Sequence, residues 1–180
     1  MLISAVATAL LLVAIAGARR PVHLQARGAP PWPAPSSAAT GVRVAGLSLD
    51  AGPKVVTRYA AHLNVFVNGR VVPVPAGIGV GPRHLGIAPL YTDDASGIVH
   101  VSSDAAAPVF TLGQFFDEWQ VALSAGRLGG LRGEPVIVYV DGARYDGDPR
   151  TLVLAPHLQI AVRYGSGVAG PASYAFPAGT

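Results

Sequence analysis

Between Tyr91 and His100 the chain reads YTDDASGIVH, which gathers Tyr91, Asp93, Asp94, Ser96 and His100 around one glycine. Imidazole nitrogen together with carboxylate oxygen is a donor set suited to Zn, Cu(II) or Ni(II). His62 lies in an alternating apolar run that reads as a strand. If that strand neighbours the one carrying His100, both histidines fall on the same face. A surface metal site would then use His62, His100 and one or both of Asp93 and Asp94, with His84 as an outside candidate in a Gly/Pro loop. The same residues also have a purely structural reading. Asp93, Asp94 and Ser96 shape a turn through side-chain to backbone hydrogen bonds, Gly97 supplies the unusual dihedral, and the histidines are ordinary polar-face residues.

Hydrolysis is the second chemistry to weigh. Adjacent carboxylates such as Asp93 and Asp94 face opposite ways in a strand, so only a turn could converge them for acid/base work. No G-x-S-x-G or H-E-x-x-H is present, and Ser96 is too near His100 in sequence to suggest a triad. No P-loop is present, and the G-x-G-x-x-G spacing at 165–170 runs into the Gly/Ala/Pro-rich tail instead of opening a helical pattern. Asp117-Glu118 reads as the solvated face of a helix, and Asp146-Gly147-Asp148-Pro149 as a loop.

The elements that must position this cluster are legible on both sides. Downstream, Thr111 and Gln114 have the spacing of a capping box, with Phe110 and Phe115 at hydrophobic-staple positions. Leu112, Phe115, Phe116, Trp119 and Leu123 then lay an apolar stripe at helical period, predicting a helix from Leu112 to about Leu123, ended by Gly126 and the pair Gly129-Gly130. Upstream, Asn68-Gly69 between alternating runs is a hairpin signal, because both turn positions favour φ > 0. That hairpin sends Leu63, Val65, Val67, Val72 and Val74 to the core and leaves His62, Asn64 and Phe66 on the other face. Gly97 opens a strand with Val99 and Val101 inward and His100 outward. Val136 to Val140, a turn at Asp141-Gly142, Leu152 to Leu154 and Leu158 to Val162 complete the sheet. The order of elements predicts an α+β fold, a small mixed sheet crossed by one main helix and resembling a β-grasp arrangement.

The run from Leu90 to Trp119 resembles a family of uncharacterised bacterial exported or membrane-anchored domains, frequent in actinobacteria. These carry L-H-T-H-D-x-S-G-I-I-H followed by F-T-L-G-Q-F-F-x-x-W. The likeness extends to HLNVFVNGRVVPVPAGIGV upstream and to VYVDG and APHLQI downstream, about residues 60 to 165. Tyr91 and Asp93 stand where the family has histidines, and only His62 and His100 match family histidines. The resemblance implies an exported or tethered domain and brings no established activity.

Composition narrows the classes further. The net charge is +3, yet Arg19, Arg20, Arg27 and Arg43 against Asp50 supply all of it, and the remainder balances nine basic residues against nine acids. A neutral domain with no basic stripe is a poor nucleic-acid binder. The absence of cysteine excludes disulfides, thiolate metal sites, a catalytic thiol and a lipidated cysteine.

Residues 1–18 begin with seventeen that carry no charged side chain, about 25 Å as a helix at 1.5 Å per residue. A bilayer span wants roughly 20 residues. The segment therefore reads as a signal peptide, cleaved at Ala16-Gly17-Ala18, or as a short anchor. Arg19-Arg20 directly after it reverse the usual charge asymmetry. Residues 19–54 are rich in Pro, Ala, Ser and Gly and read as a disordered linker, with His23 and Trp32 incidental. Residues 55–165 are the globular domain and 166–180 a flexible tail.

Three function classes follow. One is a metal-binding (Zn/Cu) envelope protein using a divalent cation, and one is a hydrolase. The third is a non-catalytic domain in the cell membrane or secreted, binding an envelope protein or small ligand. It is the reading the sequence favours, since it needs nothing the sequence lacks.

Overall fold

Strand β1 (Thr57–Val67) is the piece on which the fold is assembled. A computed structural model of the chain describes residues 28–49, 55–82, 86–167 and 173–178. The apolar segment 1–18 and His84 lie outside the described residues. Among the described residues, no helix is long and apolar enough to cross a membrane.

Along one edge β1 pairs antiparallel first with β4 (Ile98–Ser103) and then with β2 (Arg70–Val72). Along the other it pairs parallel with β10 (Gln159–Tyr164), from His62 against Gln159 to Val67 against Tyr164. β3 (Leu90–Tyr91) extends the sheet beyond β4, and β8 (Val136–Val140) with β9 (Ala143–Tyr145) extends it beyond β10. The result is a seven-stranded mixed sheet in the order β3-β4-β1-β10-β8-β9, with β2 joined to β1. Strands β5 (Leu123–Ser124), β6 (Arg127–Leu128) and β7 (Leu131–Arg132) form a separate three-stranded sheet. The chain is thus α+β, a mostly β architecture with two helices among the described residues.

Both two-residue turns behave as their sequences require. Asn68 and Gly69 have φ of 49° and 76°, Asp141 and Gly142 have 48° and 85°, and the flanking residues pair in the register expected of such turns. The stretch Leu152 to Leu154 departs from expectation. It runs along the entrance of the main helix rather than in the main sheet, with Leu112 N donating to Leu152 O and Leu154 N to Phe110 O.

Helix α2 (Leu112–Trp119) starts where the capping box places it. Thr111 Oγ1 accepts from Gln114 N at 3.3 Å, and Gln114 Oε1 accepts from Thr111 N at 3.0 Å. It ends one turn earlier than the apolar periodicity suggests. Gln120 takes the left-handed conformation (φ 61°) and Val121 N donates to Phe116 O, a Schellman-type stop. Leu123 is nevertheless buried, from β5 rather than from the helix. Phe115, Phe116 and Trp119 are fully buried against Leu63, Val65, Val99, Val101, Ile160 and Val162 of the sheet, and each phenylalanine contributes about 1.5–3 kcal/mol.

Residues 28–49 are not a linker outside the fold. Helix α1 (Ala38–Val44) packs on α2, burying Ala38, Gly41 and Val42. Trp32 is 3% exposed and stands edge-on to Trp119, centroids 6.0 Å apart and planes at 84°. Two side-chain amides fasten the segment, Gln114 Nε2 of α2 donating to Ala45 O and Gln120 Nε2, just past the helix, donating to Ser37 O. An apolar tryptophan overrides its Pro/Ala-rich setting because the edge of Trp119 offers it somewhere to be buried.

Candidate functional site

The sheet presents two faces. Alternation sends Leu63, Val65, Val99, Val101, Ile160 and Val162 toward α2, and therefore sends Ala60, His62, Asn64, Ile98, His100, Gln159 and Ala161 to the opposite face. Register places His62 opposite Gln159 on one side and opposite Ile98 on the other, two residues along β1 from the pair Ala60 and His100. His62 and His100 therefore share a face, but their imidazoles are committed to different neighbours.

His100 belongs to the β3–β4 corner. Its ring stacks on Tyr91 at 5.0 Å, and its Nε2 is 3.5 Å from Asp93 Oδ2. Burial, then the Asp93 charge, pushes the Tyr91 hydroxyl pKa up, and Arg58 opposes the shift. Asp94 is turned to its own loop. Its Oδ1 accepts from Ser96 N at 2.9 Å and from the Ser96 hydroxyl, which holds this carboxyl below the usual carboxylate range. Gly97 follows at φ 86°, pressed against Leu63 O, where a side chain would clash. This is the turn-forming arrangement of Asp94, Ser96 and Gly97.

His62 is held elsewhere. Its Nε2 is 3.0 Å from Ser96 O, which as an acceptor fixes the proton on Nε2, and its Nδ1 faces Asn64 Nδ2 at 3.5 Å. The ring is 4% exposed because Tyr174 lies flat on it, centroids 3.8 Å apart and planes at 9°. Phe176 meets the same ring edge-on at 6.4 Å and packs on His157 at 4.8 Å. Burial lowers the His62 pKa, and the bond to Ser96 O opposes that shift. The C-terminal residues 173–178 are thus a docked part of the fold, contrary to the expectation of a loose tail. Gln159 completes the attachment, its Oε1 accepting from Tyr174 N at 2.8 Å and its Nε2 donating to Tyr174 O at 3.4 Å.

No family model, curated protein or solved structure matches this chain. The site must be read from its own geometry. Among the described residues, no three His, Asp or Glu side chains come together as a set that could hold a metal ion. The expected quartet of His62, His100, Asp93 and Asp94 divides into a His100–Asp93 pair, an Asp94–Ser96 turn, and a His62 with both ring nitrogens engaged. His84 lies outside the described residues.

Five residues of consequence have roles that the sequence does not announce. Thr92 is fully buried, donates from Oγ1 to Pro75 O at 2.7 Å and accepts from Ile78 N at 3.1 Å, stapling the 75–80 loop to β3. Gln159, Tyr174 and Phe176 build the docked C-terminal segment, and the spacing of two aromatics in SYAFP was its only sequence signal. Glu118 was misread as solvated. It is 0% exposed, neither carboxylate oxygen has a partner, and burial alone pushes its pKa well above the ordinary value.

Proposed function

We propose that this is a non-catalytic extracytoplasmic domain, held near the membrane by its N-terminal segment, that binds a protein partner. The observation that carries the reading is the commitment of the polar cluster to structure. Asp94 and Ser96 build a turn, Thr92 staples a loop, and His62 is stacked and hydrogen-bonded beneath Tyr174. Groups so engaged serve a rigid presenting surface better than proton transfer, which needs a group within reach of a substrate proton. Tethering is supported by the uncharged run Met1 to Gly17 and by the likeness of the Leu90–Trp119 block to exported domains. We read the fold as β-grasp-like, on the order β2-β1-β10-β8-β9 about a central parallel pair with one helix across it.

Protease treatment of intact cells expressing the full chain tests the placement. Cleavage of the domain without lysis is the expected result, and full protection until lysis overturns it.

A second reading is favoured by one contact. His100 and Asp93, stacked and paired beside Tyr91, are two ligands of a potential Zn²⁺ or Cu²⁺ site awaiting a third. Calorimetric titration of wild type and His100→Ala with each metal decides it. Saturable one-to-one binding lost in the variant would replace the binding-domain reading with a metal-binding one.

A further inference from the structure

The contact between β10 and residues 173–178 has the chemistry of peptide recognition. Gln159 stands at the first position of β10 and opposes His62 of β1 in parallel register, so the two side chains lie next to each other on the sheet face away from α2. The Gln159 amide meets both main-chain polar groups of Tyr174, accepting from its N–H and donating to its carbonyl. A side-chain amide used this way pairs with any extended backbone, whatever its sequence. Sequence is read by the rings. The His62 imidazole offers a flat platform 3.8 Å from the Tyr174 ring, and His157 and the edge of His62 flank Phe176 two residues on. Tyr174 and Phe176 are themselves perpendicular, 5.3 Å apart, each with one flank on this platform. Ala175 between them is exposed, so the face grips the two flanking aromatic residues as a strand surface grips alternate positions.

The chain supplying this ligand is the protein's own. The contacts of residues 173–178 include these rings and the two Gln159 hydrogen bonds, the longer at 3.4 Å, and the segment joins no strand of the sheet. We infer that His62, His157 and Gln159 form a peptide-binding site for an extended partner segment of the pattern aromatic–small–aromatic–Pro. The protein's own Tyr174–Pro177 occupies it as a displaceable internal ligand. This inference rests on the binding-domain reading and names its site. An internal ligand competes at the effective concentration set by its short tether, of millimolar order, so a partner binds only where its segment fits better or the internal one is released.

The test uses the full chain and a fluorescent peptide of the sequence PASYAFPA, with binding read by anisotropy. Tyr174→Ser combined with Phe176→Ser empties the site in place. This variant should bind the peptide at least about tenfold more tightly than wild type, because the tethered competitor is gone. Adding Gln159→Ala to the emptied chain should cost about tenfold, since one hydrogen-bonded pair of main-chain groups loses its partners. A peptide with serine in place of both aromatics should not bind. No binding to a folded, emptied chain overturns the inference. Loss of cooperative unfolding in the emptied chain also overturns it, because the segment would then be a structural strap. Concentration-dependent dimers of wild type that vanish in the emptied chain, without peptide binding, assign the site to a second copy instead. None of these outcomes bears on protease accessibility in cells, so failure here leaves the placement reading standing.

Discussion

Gly41 of α1 rests directly on the main-chain carbonyl of Glu118 in α2, and a methyl group in place of the glycine hydrogen would collide with that backbone. The close approach lets two short helices share an interface whose other members, Ala38 and Val42, are also small. Gly41→Ala should therefore destabilise the protein by about 1–3 kcal/mol, the usual cost of overpacking. The damage should be local. Denaturant unfolding gives the loss, and limited proteolysis should find new cleavage within residues 28–49 while the sheet stays protected. An unchanged midpoint and digestion pattern would mean that α1 does not dock on α2.

Glu118 itself is the least comfortable residue in the core. Its carboxylate is buried beside Gly79 with no hydrogen bond and no opposing charge, and desolvation raises its pKa well above 4.5. The sign of the pH effect follows from the direction of that shift. On raising the pH the unfolded chain loses this proton first, so the folded state holds more protons and stability falls. The contribution is complete below about pH 4.5 and is lost as the pH climbs toward the raised folded value. Glu118→Met, similar in length and without the unsatisfied oxygens, should stabilise the protein by about 1–3 kcal/mol at pH 7. The advantage should shrink as the pH falls toward 4.5 and be smallest below it. Chemical denaturation across pH measures both, and a variant weaker than wild type at pH 7 would mean that the carboxylate has a partner.

These two residues mark the limit of what the sequence could tell. Local signals were reliable: Thr111 with Gln114 and the Asn68-Gly69 and Asp141-Gly142 turns specify their geometry within four residues, and the structure repeats it. Alternation also placed Val99 and Val101 inward and His62 and His100 on a shared face. Long-range partners were invisible. The helix pattern put Glu118 on a polar flank because nothing in the stripe announces that α1 and the 75–80 loop cover that flank. Trp32 and Tyr174 sit in Pro, Ala and Gly-rich text that normally stays unpacked, and only an aromatic acceptor far away in sequence orders them. The candidate site suffered most, since whether His62 pairs with His100 or with Tyr174 depends on a segment more than a hundred residues downstream.

The tryptophan pair measures how much the N-terminal segment adds. Trp119→Ala should cost about 3–5 kcal/mol as a large buried deletion. Trp32→Ala should cost a substantial part of that, where a tryptophan in a solvated linker would cost nothing measurable. A double-mutant cycle should return a coupling of about 0.5–1.5 kcal/mol for the edge-on contact. Purely additive losses would place Trp32 away from Trp119.

Acid should loosen the C-terminal segment through His62. The groups around its ring are Ser96 O, Asn64, Tyr174 and Phe176, none of them an anion at neutral pH, so protonation meets no compensating charge. Burial under Tyr174 is the main cause of its lowered pKa, and release of the segment returns the imidazole to water, where its ordinary value is 6.5. For a base whose docked value is depressed, the docked state is fully favoured above pH 6.5. It loses ground as the pH falls from there toward the depressed value, because only the released form takes up the proton. An NMR titration of the His62 ring should accordingly give a lower pKa in wild type than in Tyr174→Ser. Exchange protection of the Tyr174 amide should fall over the same interval. His62→Phe keeps a flat ring beneath Tyr174 and removes the titrating nitrogen, so in that variant protection should hold through the whole range. If His62 titrates at the same pH with and without the tyrosine, the stack does not control the ring's access to water, and the acid sensitivity has another source.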